Sequence, residues 1–508
     1  MTLHEECDKI KSITRMKVEC AHMVFSSLFF LYAFFPLNLL CYALAKDIKS
    51  KNIVMMVFSL VFYAWGEPVY VALLVGMALA DWGLAQYIGR QETKSSKARL
   101  GLVLACLVNL ALLGVFKYGT FFLANTKALF GVPEVIPQIA LPIGISFYTF
   151  QLLSYVVDVY RGEVKAQKSF ATLLLYVSLF HQCIAGPIVR YQDVENELMY
   201  RQTSLKEIYA GISRFTIGLA KKAVLANACG ALADTLLISD SAAAGPDAAA
   251  LLSSRPALAL WIGMLAYMLQ IYLDFSAYSD MAIGMGRMIG FHYRENFDYP
   301  YQAASVTDFW RRWHMSLSYF FRDYVYIPLG GNRKGKGRTI FNLFVVWLLT
   351  GFWHGASWNF VLWGLYYFVF LVMERTFLKR QMEKWPAFCT HLYLLAVVYF
   401  GWILFKFRDL SLVGITLKGM FGFGGAGFTS FEVTSQVLGH VWILLISVVG
   451  CTMAVSLGGR LLRSLSAQSQ AASIVYRVVR VAAPVVLLLL STVVLVGNSY
   501  NPFLYFQF

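Results

Sequence analysis

The chain is predicted to be an all-α, polytopic membrane protein, and three observations predict it. Of its 508 residues 58% are hydrophobic and only 14% charged, against about 25% charged in an ordinary soluble domain. Apolar runs of roughly 20 residues follow one another, each long enough to cross ~30 Å of hydrocarbon. Several runs are interrupted by Gly, Pro or charge, which membrane depth tolerates only where the backbone is buried in protein or lines a watery cavity. A simple up-down bundle is therefore not expected.

The formal charge of +15 does not point to nucleic acid. The Lys and Arg residues lie in short connections between apolar runs, where the positive-inside rule expects them, and no nucleic-acid motif interrupts them. Eight cysteines are scattered without a C-x-x-C pair. Cys41, Cys106, Cys183, Cys229 and Cys451 sit in apolar surroundings as small core residues. Neither a disulfide framework nor a zinc site is indicated.

Taken in order, residues 1–22 are polar and mixed in charge. The run from Met23 to Ala45 is too long for a signal-peptide core and is read as a retained span. Basic KDIKSK at 46–51 leads to an apolar region, 53–87, that Gly66-Glu67-Pro68 should divide into two helices. Further segments cover about 100–124, 136–157, 170–189, 213–237 and 256–273, with breaks at Pro142-Ile143-Gly144, Gly186-Pro187 and Lys221-Lys222. A pair at 340–353 and 355–373 follows, then spans near 386–405, 440–458 and 481–498. The Gly-rich MFGFGGAGF at 420–428 reads as an aqueous loop. Basic connections at 46–51, 88–99, 332–339, 375–384 and 459–480 assign those ends to the cytoplasm.

Between Asp308 and Gly364 two histidines lie in aromatic, apolar sequence. His354 sits at the junction of a pair of segments that leave and return to the basic side. A 14-residue helix rises only ~21 Å, so His354 is expected inside the membrane, nearer the outer side. Intramembrane histidines usually face a cavity, and a neutral imidazole there can take a proton from a hydroxyl. Gly351 and Gly355 allow close approach of backbone or substrate. The plainer alternative is a packing histidine bonded to a carbonyl. Trp310, Trp313, Leu317, Phe320 and Tyr324 follow helical spacing, with Arg311, His314, Ser318 and Arg322 on another face. That pattern makes His314 part of the polar stripe of one amphipathic helix, either structural or functional.

Other intramembrane polar groups are weaker candidates. Asp274 and Asp280 are expected to be structural, paired with cations such as Arg311 or Arg312. His181, before the Gly186-Pro187 break, is expected to be structural. Gly330-Gly331-Asn332 reads as a tight turn, not a phosphate cradle. The histidines lack metal-ligand spacing, so no metal is expected, and no serine stands in a hydrolase elbow.

RRWHMSLSYFFRDYVYIPLGGNR and TGFWHGASWNFVLWG, with LPIGISFYTFQLLSYVVDVYRG at 141–162, IAGPIVRY at 184–191, YLDFSAYSDMAIG at 272–284 and the terminal PFLYFQF, resemble the membrane-bound O-acyltransferase (MBOAT) family. The bacterial membrane subunits of alginate O-acetylation are the branch they resemble most. The resemblance runs from Met23 to Phe508. It implies one MBOAT transmembrane domain over 23–508, with 1–22 as an extension or Met23 as the start. It also implies a ring of about eleven transmembrane helices, with broken and re-entrant segments around a funnel. His181-Gln182 departs from the expected Pro-Gln.

The resemblance places the two family histidines at His314 and His354 and implies acyl transfer, usually acetyl, from a cytoplasmic thioester such as acetyl-CoA. No bound cofactor is expected. The acceptor is expected to be a hydroxyl of an extracytoplasmic polysaccharide such as alginate, reached directly or through a periplasmic SGNH-type acyltransferase, at a bacterial inner membrane. His354 is expected to be the base and His314 to position the donor or stabilise the oxyanion, with Arg311 and Asn359 as weaker candidates. D-alanyl transfer to teichoic acid is the rival within the class, opposed by the GGNRKGKGR loop and the extra C-terminal spans. A transporter or export channel with a histidine proton relay is the rival outside it, and a scaffold for a periplasmic partner the third.

Overall fold

The structure, a computed structural model, describes residues 23–131, 140–184 and 186–497. Residues 1–22 and the terminal PFLYFQF lie outside the described residues. The described chain is helical, with no strand among the described residues. Among the described residues seven helices are long and apolar enough to cross a membrane, or eight if Phe431–Gly439 and Val441–Gly450, bent by 49°, form one span. That count does not fix the number of crossings at eleven, because shorter apolar helices such as Phe30–Leu44 and Leu410–Met420 also contribute to the wall.

The breaks expected at Gly66-Glu67-Pro68 and Pro142-Ile143-Gly144 are present. Ile48–Gly66 ends at Glu67, and Val71–Gly89 begins after the Gly-Glu-Pro interruption. Gly144, with φ +76°, starts Ile145–Arg161. A Cβ there would come within 2.5 Å of the Cys183 carbonyl oxygen. Only glycine meets both the backbone angle and that close approach.

The largest departure is the helix Ala257–Met288 of 32 residues, which the sequence reading ended near 273. The helix continues because protein cations neutralise its carboxylates. Asp274 pairs with Lys222 at 2.8 Å, and Asp280 pairs with Lys221 at 2.7 Å and Arg214 at 2.6 Å. Arg311 and Arg312 are not these partners. Lys221-Lys222 does not interrupt the chain either. It opens a π-helical turn, Lys221–Ala226, whose wider winding lets two consecutive lysines reach one neighbouring helix. Leu205–Ala220 lies tightly on the same helix, since a Cβ on Gly211 would sit 2.6 Å from the Gly284 carbonyl and one on Gly218 would sit 2.7 Å from that of Ala277. Such small-residue contacts let helices associate in lipid, where burying apolar surface gains nothing.

Removing one partner of a buried ion pair strands the other charge, at about 3–5 kcal/mol. Asp274→Ala is therefore expected to lower the unfolding temperature of the detergent-solubilised protein sharply. Asp274→Leu combined with Lys222→Met should recover most of the loss. Equal melting temperatures for Asp274→Ala and the unsubstituted protein would show that the pair does not hold these helices.

Candidate active site

His354 is the last residue of the helix Gly335–His354. The helix starts at Gly335 and not near 340, so its 20 residues rise ~30 Å and place His354 close to the end opposite the basic loop. Gly355 then turns the chain into extended backbone, and Trp358–Met373 runs back. The two helices touch at glycines. A Cβ on Gly351 would collide with the Phe360 carbonyl, one on Gly364 with that of Trp347, and one on Gly355 with the Phe360 ring. These glycines thus serve helix packing, and none of them opens a path for substrate.

A helix end leaves its last carbonyls without intrahelical donors. Here they are met from the span Ser96–Phe130. Lys117 Nζ donates to the Trp353 carbonyl at 2.5 Å, and Tyr118 Oη donates to that of Phe352 at 2.7 Å. Both residues belong to a π-helical turn, Gly114–Tyr118, which presents adjacent side chains to the same neighbour. The position of His354 is therefore fixed by a helix more than 200 residues earlier in the chain.

The His354 ring is 5% exposed and walled edge-on by Trp353, Trp363 and Phe405, with centroids at 5.0, 4.9 and 5.3 Å. Neither ring nitrogen meets a hydrogen-bonding group among the described residues. Buried polar groups are normally paired, and an unpaired one costs about 1–3 kcal/mol. The packing histidine bonded to a carbonyl is thus not what is found. His354 instead lines a cavity of about 80 Å³ together with Lys117, Ser146, Gly144 and Trp353, a size suited to a few waters or a small acyl group.

His314 departs from the periodicity reading. No single amphipathic helix covers 310–324. Val306–Arg312 ends, His314 takes φ +46°, and Met315–Phe321 begins. The ring is 1% exposed and faces Phe275 at 4.7 Å, inside the protein and not on an interfacial stripe. A left-handed non-glycine residue persists only where its surroundings over-determine it, and Asn296 does so here. Its backbone carbonyl accepts from Met315 N–H at 2.9 Å, and its Oδ1 lies 3.1 Å from His314 Nδ1 and accepts from Ser316 Oγ at 2.8 Å. Because Oδ1 only accepts, Nδ1 carries the hydrogen and Nε2 is the basic nitrogen. A cleft on the far side of Ser316 is lined by Arg190, Asp193, Arg294 and Tyr319.

The indole of Trp353 touches both imidazoles, at 5.0 Å from His354 and 5.7 Å from His314. The two histidines, 40 positions apart in the chain, are thereby brought against one ring. The other candidates are not brought there. Arg311 is exposed at the end of its helix. Asn359 is buried but donates to the Leu404 carbonyl at 3.0 Å and accepts from Ser357. His181 lies by Tyr293 Oη at 3.2 Å. Gly330 and Gly331 form a turn with φ +108° and +54°. Among the described residues no group of acidic, Cys or His side chains could hold a metal. Lys117 and Asn296 escaped the sequence reading. A lone lysine inside an apolar run was a usable signal for the first; nothing local marks the second.

A model of the membrane-bound O-acyltransferase family matches residues 161–415, a range that includes both histidines and excludes Lys117. A "probable alginate O-acetylase" of Pseudomonas putida is 36% identical over 504 residues, covering 96% of this chain and 100% of the relative. A peptidoglycan O-acetyltransferase of Helicobacter pylori is 33% identical over 437 residues, 79% of this chain and 80% of the relative. A teichoic acid D-alanyltransferase of Bacillus subtilis is 28% identical over 281 residues, 53% of this chain and 68% of the relative.

The glycine contacts make a prediction at a distance from the cavity. Gly364→Ala must push the two helices of the hairpin apart, an overpacking that typically costs about 1–3 kcal/mol. It is expected to lower the melting temperature and to reduce activity at least tenfold, although residue 364 does not line the cavity. A fully active Gly364→Ala protein would show that the hairpin does not set the position of His354.

Proposed function

The chain belongs to the membrane-bound O-acyltransferase family and is a multi-pass membrane O-acyltransferase; on that premise we propose that it carries an acetyl group from a cytoplasmic thioester to a polysaccharide hydroxyl across a bacterial inner membrane. The observation that carries the reading is the His354 imidazole, buried, unpaired at both nitrogens among the described residues and facing a cavity. In the proposed reaction it removes the proton of the accepting hydroxyl as the oxygen attacks the thioester carbonyl carbon. The carbonyl π electrons move to oxygen, the tetrahedral adduct collapses, the C–S bond breaks, and the departing thiolate takes the proton from the imidazolium. General-base help of this kind is worth about 10²–10⁴ in rate.

His314 is suited to the donor side. With Nδ1–H turned to Asn296, the His314 ring is held in place by the protein, which favours donor positioning over oxyanion stabilisation. The acceptor would approach the His354 cavity from the opposite side, either as the polymer itself or as a periplasmic SGNH-type acyltransferase that relays the group. Acetyl is preferred over D-alanyl because the relatives named for O-acetylation match at higher identity over more of the chain.

His354→Ala is expected to insert and fold normally while losing at least 100-fold in acetyl transfer, read by mass spectrometry of the polymer's O-acetyl content. His314→Ala is expected to raise KM for the thioester more than it lowers kcat. Full acetyl transfer by a correctly inserted His354→Ala protein would refute the base assignment. Alanyl esters on the polymer in place of acetyl would refute the choice of donor.

A further inference from the structure

The mechanism above needs a group that meets the negative charge on the thioester oxygen, and His314 does not donate to it. Lys117 has the geometry for that task. It is 8% exposed, lines the same cavity as His354, and no acidic side chain pairs with it among the described residues. The other two buried lysines are different, since Lys222 pairs with Asp274 at 2.8 Å and Lys406 with Asp240 at 2.7 Å. An ammonium has three N–H donors. Two are used, on Ser146 Oγ at 3.0 Å and the Trp353 carbonyl at 2.5 Å. Those two acceptors are neutral, so the charge is left without a counter-ion beside a cavity.

We propose that Lys117 is a catalytic residue whose third N–H stabilises the oxyanion formed when the acceptor oxygen adds to the thioester carbonyl. The proposal rests on the acyl-transfer reading of His354. The same ammonium ties down the Trp353 carbonyl, so the cation and the base are held in fixed relation through one peptide unit. A pre-positioned donor of this kind needs no reorganisation as the charge develops, and removing one typically lowers kcat by about 10²–10³. A cation that only capped the helix would need neither its burial in the cavity wall nor an unused donor. Tyr118 meets the preceding carbonyl with a neutral hydroxyl.

The test uses the full chain in inner-membrane vesicles of its host, with acetyl-CoA as the probe donor and initial rates of acetyl transfer as the readout. Lys117→Met is expected to lower kcat about 100-fold with KM for acetyl-CoA changed less than threefold. Lys117→Arg, which keeps the charge, should recover at least tenfold of that loss. Tyr118→Phe, which removes the neighbouring tie to the same helix end, should lower the melting temperature and cost kcat at least tenfold less than Lys117→Met. The proposal is overturned if Lys117→Met stays within threefold of full kcat, if Lys117→Arg is no better than Lys117→Met, or if Tyr118→Phe lowers kcat as much. His354→Ala measured alongside separates the two claims. If it is active the acyl-transfer reading fails, whereas an inactive His354→Ala beside an active Lys117→Met defeats the Lys117 assignment alone.

Discussion

An imidazole with no hydrogen-bond partner among the described residues, buried at the end of a membrane helix, is the constraint to which the rest of this structure answers. Inside a bilayer a polar group is normally satisfied by protein or by water in a cavity, and both His354 nitrogens are buried without a partner among the described residues, in a residue that lines a cavity. The protein therefore supplies walls of Trp353, Trp363 and Phe405 around the ring and meets the last carbonyls of its helix from a different span. It also packs the returning helix through glycines whose Cβ atoms would strike backbone. These features hold one nitrogen-bearing ring in a fixed place without bonding to it, which is what a base needs and a structural histidine does not.

Two of the departures from regular helix carry buried polar groups. π-helical turns carry Lys117 with Tyr118 and Lys221 with Lys222, each delivering two consecutive side chains to one neighbour, which a regular α-helix with 100° between residues does not do. The left-handed residue at His314 breaks what would otherwise be a continuous helix and turns its ring inward. Trp353 is in contact with both imidazoles, and His354 and Ser316 line two different cavities.

The membrane class, the helix breaks at Gly66-Glu67-Pro68 and Gly144, and the helical hairpin ending at His354 were legible because composition, run length and Gly/Pro placement are local. Three features were not legible, for physical reasons. The helix 257–288 runs past Asp274 because the neutralising lysines lie about 50 residues away, beyond any window of periodicity. The break at His314 is imposed by Asn296, 18 residues upstream, although the 3–4 spacing around it is as regular as in an intact helix. The partners of the His354 helix end come from a span more than 200 residues earlier. Lys117 itself was visible as a lone cation in an apolar run, the same signal that marked His354.

The central claim is that the acyl group reaches His354 from one side of the membrane and leaves on the other. Vesicles holding the chain in one orientation, with labelled acetyl-CoA confined to the basic side and a soluble hydroxyl acceptor confined to the opposite side, test it directly. The account predicts labelled acetyl on the trans acceptor and free thiol appearing only on the donor side, with neither substrate crossing. Transfer that occurs only when donor and acceptor share a compartment would contradict it.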